Sequence, residues 1–400
     1  MSRRYLHHES PWLLALLAAM VALGPLSVDM YIPAMPNMMV ALDTTISSMH
    51  LTMSAYLTGF AVFHLVCGPL ADRYGRKPIL LLGTAVFVIG CLGCAASTTI
   101  DQLLLFRLLQ GIGACVGPTL ARTVTRDVFG PTRAARALSL IAMLMALAPA
   151  VAPTLGGIML LVLPWNSIFV FLAVYGAVMI VLIQRLLAES LPQRQSLHPL
   201  VIARNYRELV MDPFYLSVTV ASGLVYAGLI AYLSSSSFVY IEMLGVPVEY
   251  FGLVFLTAVA GYMTGSGISA RLAGRFDSEQ VMLLGSALAL FACVLILSAA
   301  YIWPRSVLAL MLPMMFYSTG LGLVLPHAMA IALRPFPHIA GTASALLGFV
   351  QMSLSAVASA LTGVFLKDSP MPMLWAMLVI CLLAMALALR SHRLYHRSNP

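Results

Sequence analysis

The sequence predicts an all-α integral membrane protein in which twelve transmembrane helices form two six-helix bundles and both termini are cytoplasmic. Three observations carry this prediction. The 400-residue chain is 61% hydrophobic with a mean hydropathy of +0.96, apolar runs recur along its whole length, and one hydrophilic stretch lies near its middle. A single globular core cannot hide so much apolar surface from water, so the expected solvent is the lipid bilayer.

Twelve apolar runs are long enough to cross a membrane, since a spanning helix needs about 20 mostly apolar residues to cross roughly 30 Å of hydrocarbon. The runs cover approximately residues 12–34, 51–70, 78–96, 102–120, 137–163, 167–187, 214–238, 251–270, 281–302, 306–333, 341–366 and 373–389. The first run continues past Leu26 to Asp29 without a clear small-residue cleavage site. We therefore predict a helix there rather than a signal peptide.

The distribution of basic residues predicts the orientation. With a cytoplasmic N-terminus, 19 of the 22 lysines and arginines fall on cytoplasmic segments, whereas Arg305 and Lys367 fall on outer loops and Arg107 lies inside a span. This bias matches the positive-inside rule. It also explains the net charge of +8 without nucleic acid, because the basic residues are dispersed over short loops rather than gathered on one soluble face.

A hydrophilic stretch, residues 188–213, divides the chain into an N-terminal bundle (1–187) and a C-terminal bundle (214–400), and we predict that it is a cytoplasmic linker. An internal repeat supports this division: Gly68, Gly75 and Arg76 are matched 199 residues later by Gly267, Gly274 and Arg275. Duplicated halves with a site at their interface are common in secondary transporters. The repeat therefore favours that class of protein.

The segment GPLADRYGRKPILLLG, residues 68–83, concentrates charge in a turn between two apolar runs. Its charged residues are Asp72, Arg73, Arg76 and Lys77. Because charges are costly in hydrocarbon, they fix this turn at the cytoplasmic surface. Gly75 supplies the backbone freedom that the turn needs.

Very few ionisable residues lie inside the predicted spans, and two of them are Asp29 and Arg107. Asp29 is near the outer end of the first span and Arg107 near the outer start of the fourth, so they lie at similar depth at about 1.5 Å per residue. Arg107, Gln110 and Gly111 share one helix face, which leaves room for another helix or a substrate. Two interpretations stay open: a static ion pair or groups that face a common cavity.

The functional interpretation of Asp29 is proton exchange. Desolvation favours the protonated form of a carboxyl group and a nearby cation favours the charged form, so competition between proton and substrate would couple their fluxes in opposite directions. His64 and His327 could also shuttle protons, although a membrane histidine more often bonds to a neighbouring helix. Candidate wall residues for a flat or amphipathic ligand are Tyr31, Tyr56, Tyr226, Tyr232 and Tyr317.

The fifth predicted span contains LAPAVAPTLGG, which makes one helix face small and kinked. The residues on that face are Pro149, Ala152, Pro153, Gly156 and Gly157. Tight helix packing and a hinge or seal against the second half both explain the pattern, and both stay open.

Other chemistry is not indicated by the sequence. The six cysteines fall in or at the edges of predicted spans, and the Cys91/Cys94 pair has no second pair, so we predict no metal site. The chain has no phosphate-cradling glycine loop, HExxH motif or nucleophile elbow, so we predict that it is not an enzyme. ATP-driven export would need a partner chain.

Several of these motifs resemble the major facilitator superfamily. GPLADRYGRKPIL is similar to the signature between its second and third helices, RLLQGIGA to its fourth-helix motif, and APTLGG to the fifth-helix motif of its antiporters. Together with PLSVDMYIPAMP, FVYIE and RPFPHIAGTAS, they resemble the Bcr/CflA branch, the bicyclomycin and chloramphenicol resistance transporters. The resemblance runs from the first span to the eleventh and implies the major facilitator fold.

The resemblance implies a drug:proton antiporter of the bacterial inner membrane, driven by the proton-motive force and without a cofactor. It implies that Asp29 is the first-helix acid that is protonated, and that Arg107 is coupled to it together with Gln110 and Gly111. The residues of the implied cytoplasmic gate are Gly68, Asp72, Arg73, Gly75, Arg76 and Lys77. We expect Asp72 to cap a neighbouring helix or to pair with Arg122 or Arg126.

Two departures from the family pattern matter. Ala152 stands where a glycine is usual in the fifth-helix motif, which is a mild change. Val21 and Ala22 stand where some multidrug relatives carry a second acid, which leaves the proton stoichiometry open.

Three functions remain open. The first is drug/proton antiport, which the fifth-helix motif favours. The second is proton-linked uptake or export of a natural metabolite by the same fold, and the third is a membrane sensor or scaffold that moves no substrate. For the first, the expected partners are an amphipathic small molecule, protons and the lipid bilayer, and we predict a monomer.

Overall fold

The computed structural model describes residues 11–191 and 199–398, without the side chains of residues 11, 130–136, 138–140, 142–147, 199 and 396–398. These residues form α-helices joined by turns and short loops. The helices are α1 (Pro11–Asp29), α2 (Met35–Ala41), α3 (Ile46–Tyr74), α4 (Arg76–Ala96), α5 (Ile100–Ala114), α6 (Val116–Val162), α7 (Asn166–Leu186), α8 (Pro199–Met211), α9 (Pro213–Ser237), α10 (Phe251–Leu272), α11 (Ser278–Ile302), α12 (Val307–Leu333), α13 (Ala340–Phe365) and α14 (Met371–Ser398). Short 3₁₀ turns occur at Ile32–Ala34, Val248–Tyr250 and Pro337–Ile339, and a π-helical turn at Phe238–Met243 continues α9.

Eleven segments of the described chain are long and apolar enough to cross a membrane, and Ala148–Val162 is a shorter apolar helix. The eleven segments are Trp12–Ala41, Ile46–Tyr74, Arg76–Ala96, Ile100–Phe129, Asn166–Leu186, Pro213–Met243, Val248–Leu272, Ser278–Ile302, Val307–Leu333, Pro337–Phe365 and Met371–Tyr395. The prediction of an all-helical membrane protein is therefore confirmed. The predicted span 137–163 corresponds to the shorter helix, and part of it falls on side chains outside the described ones.

α6 begins within the predicted fourth span, 102–120, and continues much further than the predicted end of that span. α5 ends at Ala114 because Pro118 has no N–H to donate to the Ala114 carbonyl, and α6 begins after Cys115. The backbone then stays helical through residues 121–136, where we expected a loop. α6 as a whole covers 47 residues.

The chain folds as two compact units. The first comprises Met1–Thr44 and Ala55–His198, and the second comprises Thr45–Ser54 and Pro199–Pro400, so far as the structure describes them. The change of unit at residues 198 and 199 falls inside the stretch that we predicted as a linker. The assignment of residues 45–54 was not anticipated, because α3 begins with the second unit and continues in the first.

Polar side chains mark where several helices begin. Thr99 accepts a hydrogen bond from the backbone N–H of Gln102 at the start of α5, and Asp212 accepts one from Tyr215 at the start of α9, at 2.6 Å. Each cap satisfies a backbone donor that the first helical turn leaves without a partner. These short polar residues between apolar runs therefore stabilise the first turns of the helices that follow.

In the first unit, α1 packs on α6, and α4 packs on α5 and α7. Buried aliphatic side chains such as Leu17, Leu80 and Val124 form its core. Gly117 allows α6 to contact the Met20 carbonyl of α1, a position that a side chain would block. The helices that carry the candidate ionisable residues are therefore closely packed.

In the second unit, α9 packs on α13 and α14, and α12 packs on α10 and α11. The fully buried His50 belongs to this unit, where its Nδ1 lies 3.0 Å from the Ser359 carbonyl oxygen. Ser54 donates to the Ala356 carbonyl oxygen at 2.8 Å. Because a carbonyl only accepts, His50 carries its proton on Nδ1. The first residues of α3 are thus hydrogen-bonded to α13.

Candidate functional site

Arg107 is the centre of a buried polar site in the first unit. It lies on α5 and is 0% exposed, and its Cζ atom is 4.1 Å from the ring centroid of Tyr31 and 4.5 Å from that of Tyr56. Both rings are buried as well. Ring faces attract a cation within about 6 Å, so the guanidinium is held between two aromatic side chains from outside α5.

Hydrogen bonds fix the same guanidinium in orientation. Its Nη1 donates to Gln110 Oε1 at 2.7 Å and to the Ser27 carbonyl oxygen at 3.2 Å. Gln110 in turn donates from Nε2 to Cys91 Sγ at 3.1 Å. The i, i+3 spacing of Arg107 and Gln110, recognised in the sequence, is what allows their side chains to meet on one face of α5.

Tyr56 connects the site to α1, because its hydroxyl donates to the Gly24 carbonyl oxygen at 3.3 Å. Gly111 is placed beside Tyr56, and a side chain at Gly111 would collide with the Tyr56 carbonyl. The space that we expected Gly111 to leave open is therefore occupied by the backbone of α3. This close approach brings the Tyr56 ring onto Arg107.

Asp29 ends α1 and is only 4% exposed. Its carboxylate makes no hydrogen bond or ion pair with any residue that the structure describes, and no ion pair joins it to Arg107. Arg107, on α5, reaches the same turn of α1, where its Nη1 donates to the Ser27 carbonyl oxygen, two residues before Asp29. The guanidinium thus lies at the turn of α1 that ends in Asp29 without being bonded to the Asp29 carboxylate.

The fifth-helix motif packs against this end of α1. Gly156 lets α6 approach the Met30 backbone so closely that an added Cβ would lie 2.6 Å from the Met30 carbonyl oxygen. Pro153 and Gly157 are buried, and Pro149 is half-buried. Tight packing therefore accounts for Gly156, directly beside the residue that follows Asp29.

The three other predicted tyrosines belong to the second unit. The hydroxyl groups of Tyr232 and Tyr240 are hydrogen-bonded to each other at 2.8 Å. The Tyr317 hydroxyl donates to the Val225 carbonyl oxygen at 2.6 Å. Tyr232 and Tyr317 are buried, whereas Tyr226 is half-buried. The structure thus places Tyr31 and Tyr56 together on Arg107 and the remaining tyrosines in another part of the chain.

The charged turn between α3 and α4 forms an ionic cluster in the first unit. Arg76 pairs with Asp72 at 2.5 Å and with Asp127 of α6 at 3.2 Å. Asp72 was expected to cap a helix or to pair with Arg122 or Arg126, and it instead pairs with the arginine four residues later. Asp72 lies in the last turn of α3 and Arg76 is the first residue of α4, so this ion pair spans the turn at Gly75.

Glu189 caps the helix that this turn begins. Its carboxylate accepts from the backbone N–H groups of Arg76 at 2.9 Å and Lys77 at 3.2 Å, and Lys77 Nζ donates to the Gln184 carbonyl oxygen at 2.9 Å. Gly75 has a φ of +109°, and a Cβ there would lie 2.5 Å from Glu189 Oε2. The carboxylate and the positive end of the α4 dipole attract one another, and only glycine leaves room for this contact.

Of the two remaining residues of the predicted gate, Arg73 is exposed and Gly68 is half-buried. Arg73 lies over the ring of Tyr74 at 5.3 Å, and Gly68 has open space at the position of a side chain. Neither contributes to the cluster around Arg76 through a contact that the structure describes.

Sequence reasoning missed three of the acids that organise the charged groups. Asp127 and Glu189 lie 51 and 113 residues from Arg76. In the second unit, Glu279 pairs with Arg334 at 2.5 Å, with the Glu279 side chain 2% exposed and the Arg334 side chain 50% exposed. The usable signal was the scarcity of acids, since a chain with 14 acidic residues is expected to pair the few that lie near membrane boundaries.

The packed apolar spans and the buried ionic groups between them define a multi-pass helical membrane protein of the transporter class. The profile of the Major Facilitator Superfamily matches residues 17–360, and the chain belongs to this superfamily. It is accordingly a transporter rather than an enzyme, and a multi-pass protein of the bacterial inner membrane. The superfamily recognised from the sequence motifs is thus confirmed.

Bacterial relatives extend over most of the chain. An uncharacterised MFS-type transporter, YdgK, of Bacillus subtilis is 32% identical over 358 residues, which are 88% of each chain. A bicyclomycin resistance protein homologue of Haemophilus influenzae is 28% identical over 89% of each chain. The multidrug resistance protein MdtL of Vibrio parahaemolyticus is 30% identical over 84% of this chain and 85% of its own. Two of these relatives are thus named for resistance to bicyclomycin or to several drugs.

Solved structures agree in fold. A bacterial homologue of the human lysosomal transporter Spinster, in an inward-facing and unoccupied conformation, superimposes with a TM-score of 0.74 at 16% identity over 96% of both chains. A D-xylose–proton symporter superimposes with a TM-score of 0.75 at 13% identity over 94% of this chain and 96% of its own. At these identities the likeness concerns the fold alone.

Proposed function

We propose that this protein exports drugs or other small xenobiotic compounds across the inner membrane in exchange for protons, by alternating access. The relatives named for bicyclomycin and multidrug resistance support the substrate class. The single observation that carries proton coupling is that Asp29 is buried without a polar partner among the described residues, while Arg107 is held two residues earlier along α1.

Asp29 is the proposed proton-binding group. A carboxylate buried without a cation or a hydrogen-bond donor is costly, and binding a proton removes its charge. In the state described here Arg107 gives Asp29 no compensation, because the guanidinium is bonded to Ser27 and Gln110. Asp29 therefore holds its proton in this state.

Arg107 is the proposed coupling residue. When Asp29 releases its proton, the carboxylate attracts the guanidinium away from the rings of Tyr31 and Tyr56. The two ring faces then become available to an aromatic or cationic group of the substrate. Proton and substrate thus favour different positions of one arginine, which couples their movements in opposite directions.

The proposal includes twelve spans with cytoplasmic termini. A straight helix of 47 residues would measure about 70 Å, more than twice the hydrocarbon thickness of about 30 Å. α6 contacts α1 both at Gly117, near Met20, and at Gly156, near Met30, although those two positions of α1 are only about 15 Å apart. These contacts support two crossings within α6, the second being Ala148–Val162.

The other residues keep the roles that the sequence predicted for them. We assign the cytoplasmic gate to the turn that carries Asp72 and Arg76, and further contacts with substrate to Tyr226, Tyr232 and Tyr317. The motif resemblance to the Bcr/CflA branch supports a monomeric antiporter with an amphipathic substrate. The ionic cluster of Arg76 with Asp127 supports a gate that opens by exchanging ion pairs.

The test uses everted, respiring membrane vesicles that carry the wild-type protein, Asp29→Asn or the control Asp101→Asn. Asp101 is an exposed acid in the first turn of α5, so the control makes the same chemical change away from the site. Chloramphenicol or bicyclomycin is added, and the collapse of the pH gradient is followed with a fluorescent dye. We expect drug-dependent proton release in the wild type and in Asp101→Asn, and none in Asp29→Asn.

The outcomes separate the candidate functions. Drug-dependent release that persists in Asp29→Asn would remove Asp29 from the proton pathway. A folded, inserted wild type that responds to neither drug but to a natural metabolite would replace drug export by metabolite transport, with the same fold.

A further inference from the structure

α8 belongs to the second unit and packs on the other helices of that unit through one face. Its residue Leu209 is fully buried, and burial raises the pKa of Tyr206 to about 12. The helix contacts both α9 and α13, and Glu208 Oε1 lies 3.3 Å from His338 Nε2, just before α13 begins. These contacts fix how α8 is rotated about its own axis.

The opposite face of α8 is a row of two apolar and two basic side chains, Leu200, Arg204, Arg207 and Met211. Their spacing of three or four residues places them on one side of a helix. Leu200 is 85% exposed and Met211 is 68% exposed, and both arginines are exposed. Neither arginine forms an ion pair with a residue that the structure describes. We call these four residues the α8 outer row.

The position of α8 places this row at a membrane boundary. α8 ends at Met211 and the apolar span that contains α9 begins at Pro213. His338 precedes the first residue of α13 by two positions. Because α8 touches the beginnings of two spans that follow it in the chain, it runs along the ends of these spans rather than away from them.

We propose that the α8 outer row binds anionic phospholipid headgroups of the cytoplasmic leaflet. Leu200 and Met211 would enter the boundary between headgroups and acyl chains, while the two arginines extend to phosphate groups, as in an interfacial amphipathic helix. The net positive charge of the row complements the negative inner leaflet. Of the two acids near the row, Glu208 is turned to His338 and Asp212 caps α9. This surface goes beyond the proposed transport cycle and rests only on the proposed cytoplasmic side of α8.

The experiment uses the purified full-length protein in detergent with added phosphatidylglycerol or phosphatidylcholine. Lipid binding is followed by the lipid-dependent rise of the thermal unfolding temperature. We expect the wild type to prefer phosphatidylglycerol and the double variant Arg204→Gln/Arg207→Gln to bind it about thirtyfold more weakly, the combined effect of two arginines at an anionic surface. The matched control Arg271→Gln/Arg275→Gln removes an exposed basic pair, one residue in the last turn of α10 and one in the turn that follows it, and keeps the preference.

A second measurement reports where the row lies. Leu200→Cys is labelled with a fluorophore, since the six native cysteines are all buried, and the protein is placed in phosphatidylglycerol vesicles that contain lipids with a quencher near the headgroup. Quenching of the label is expected.

Three results would overturn the proposal. The first is that the Arg204→Gln/Arg207→Gln variant keeps its preference for phosphatidylglycerol. The second is that the Arg271→Gln/Arg275→Gln control loses the preference equally. The third is that the label at Leu200→Cys is quenched only by water-soluble reagents or is protected by self-association of the protein. None of these measurements involves a drug or a proton gradient, so they are independent of the transport test.

Discussion

Replacing Gly156 with alanine tests whether the fifth-helix motif is a packing surface or a hinge. An alanine Cβ at this position would lie 2.6 Å from the Met30 carbonyl oxygen and 3.2 Å from Met30 Cα, where ordinary contact begins at 3.4 Å. α6 and α1 must therefore separate by about 0.8 Å at the residue that follows Asp29. The backbone on both sides limits how cheaply they can do so.

The expected cost follows from two opposing effects. Overpacking of this kind costs roughly 1–3 kcal/mol, and alanine gains about 0.5–1 kcal/mol over glycine inside a helix. Gly156→Ala should therefore lower the free energy of unfolding by about 1–2 kcal/mol. Gly68→Ala is the matched control, because it has open space at the side-chain position and should keep only the favourable helix contribution.

The assay is thermal unfolding of both purified variants in detergent. The two variants should differ by about 2 kcal/mol, which corresponds to about 4–8 °C for a unit of this size, with Gly156→Ala the less stable. If Gly156→Ala unfolds at or above the temperature of Gly68→Ala, the packing argument is wrong. Lost transport with unchanged stability would instead indicate the hinge.

Three further predictions concern the ionic groups. Arg107→Lys keeps the charge but loses the planar group that lies between two rings, so drug-dependent proton release should fall at least about tenfold, from about 1.4 kcal/mol of lost interaction, whereas a near-normal rate would show that charge alone suffices. Glu189→Ala removes a helix cap and should cost about 0.5–2 kcal/mol of unfolding free energy, while the exposed Glu242→Ala serves as a control that should leave the unfolding temperature unchanged. Arg334→Gln should destabilise more than Glu279→Gln, because the half-exposed arginine can turn to water but the buried carboxylate cannot, and thermal unfolding that gives the reverse order would contradict this reasoning.

The candidate site was partly predictable from sequence. Arg107, Gln110 and Asp29 could be selected because polar residues inside apolar runs are few. The i, i+3 spacing within α5 then placed Gln110 beside Arg107. Of the two interpretations that the sequence left open, the ion pair of Asp29 with Arg107 is not formed in the structure. Both lie at similar depth, but depth does not say which side of a helix a residue faces.

The ionic cluster around Arg76 shows the same limit. The charged turn and its glycine could be recognised from a few consecutive residues, and Gly75 does adopt a positive φ. The partner that caps this turn, Glu189, lies 113 residues from Arg76, in a stretch that we assigned to a linker. Spacing rules apply within one helix or turn, so they could not find it.

The sequence by itself determined the membrane class of this protein, because the length of apolar runs and the cost of charges in lipid are local properties of the chain. The tertiary structure alone decided which polar groups meet: Arg107 with the rings of Tyr31 and Tyr56, and Glu189 with the first turn of α4. Hydrogen bonds and ion pairs require separations of about 3 Å, which are set by how helices distant in sequence pack. A sequence pattern can say that such a group needs a partner, but helix packing chooses the partner.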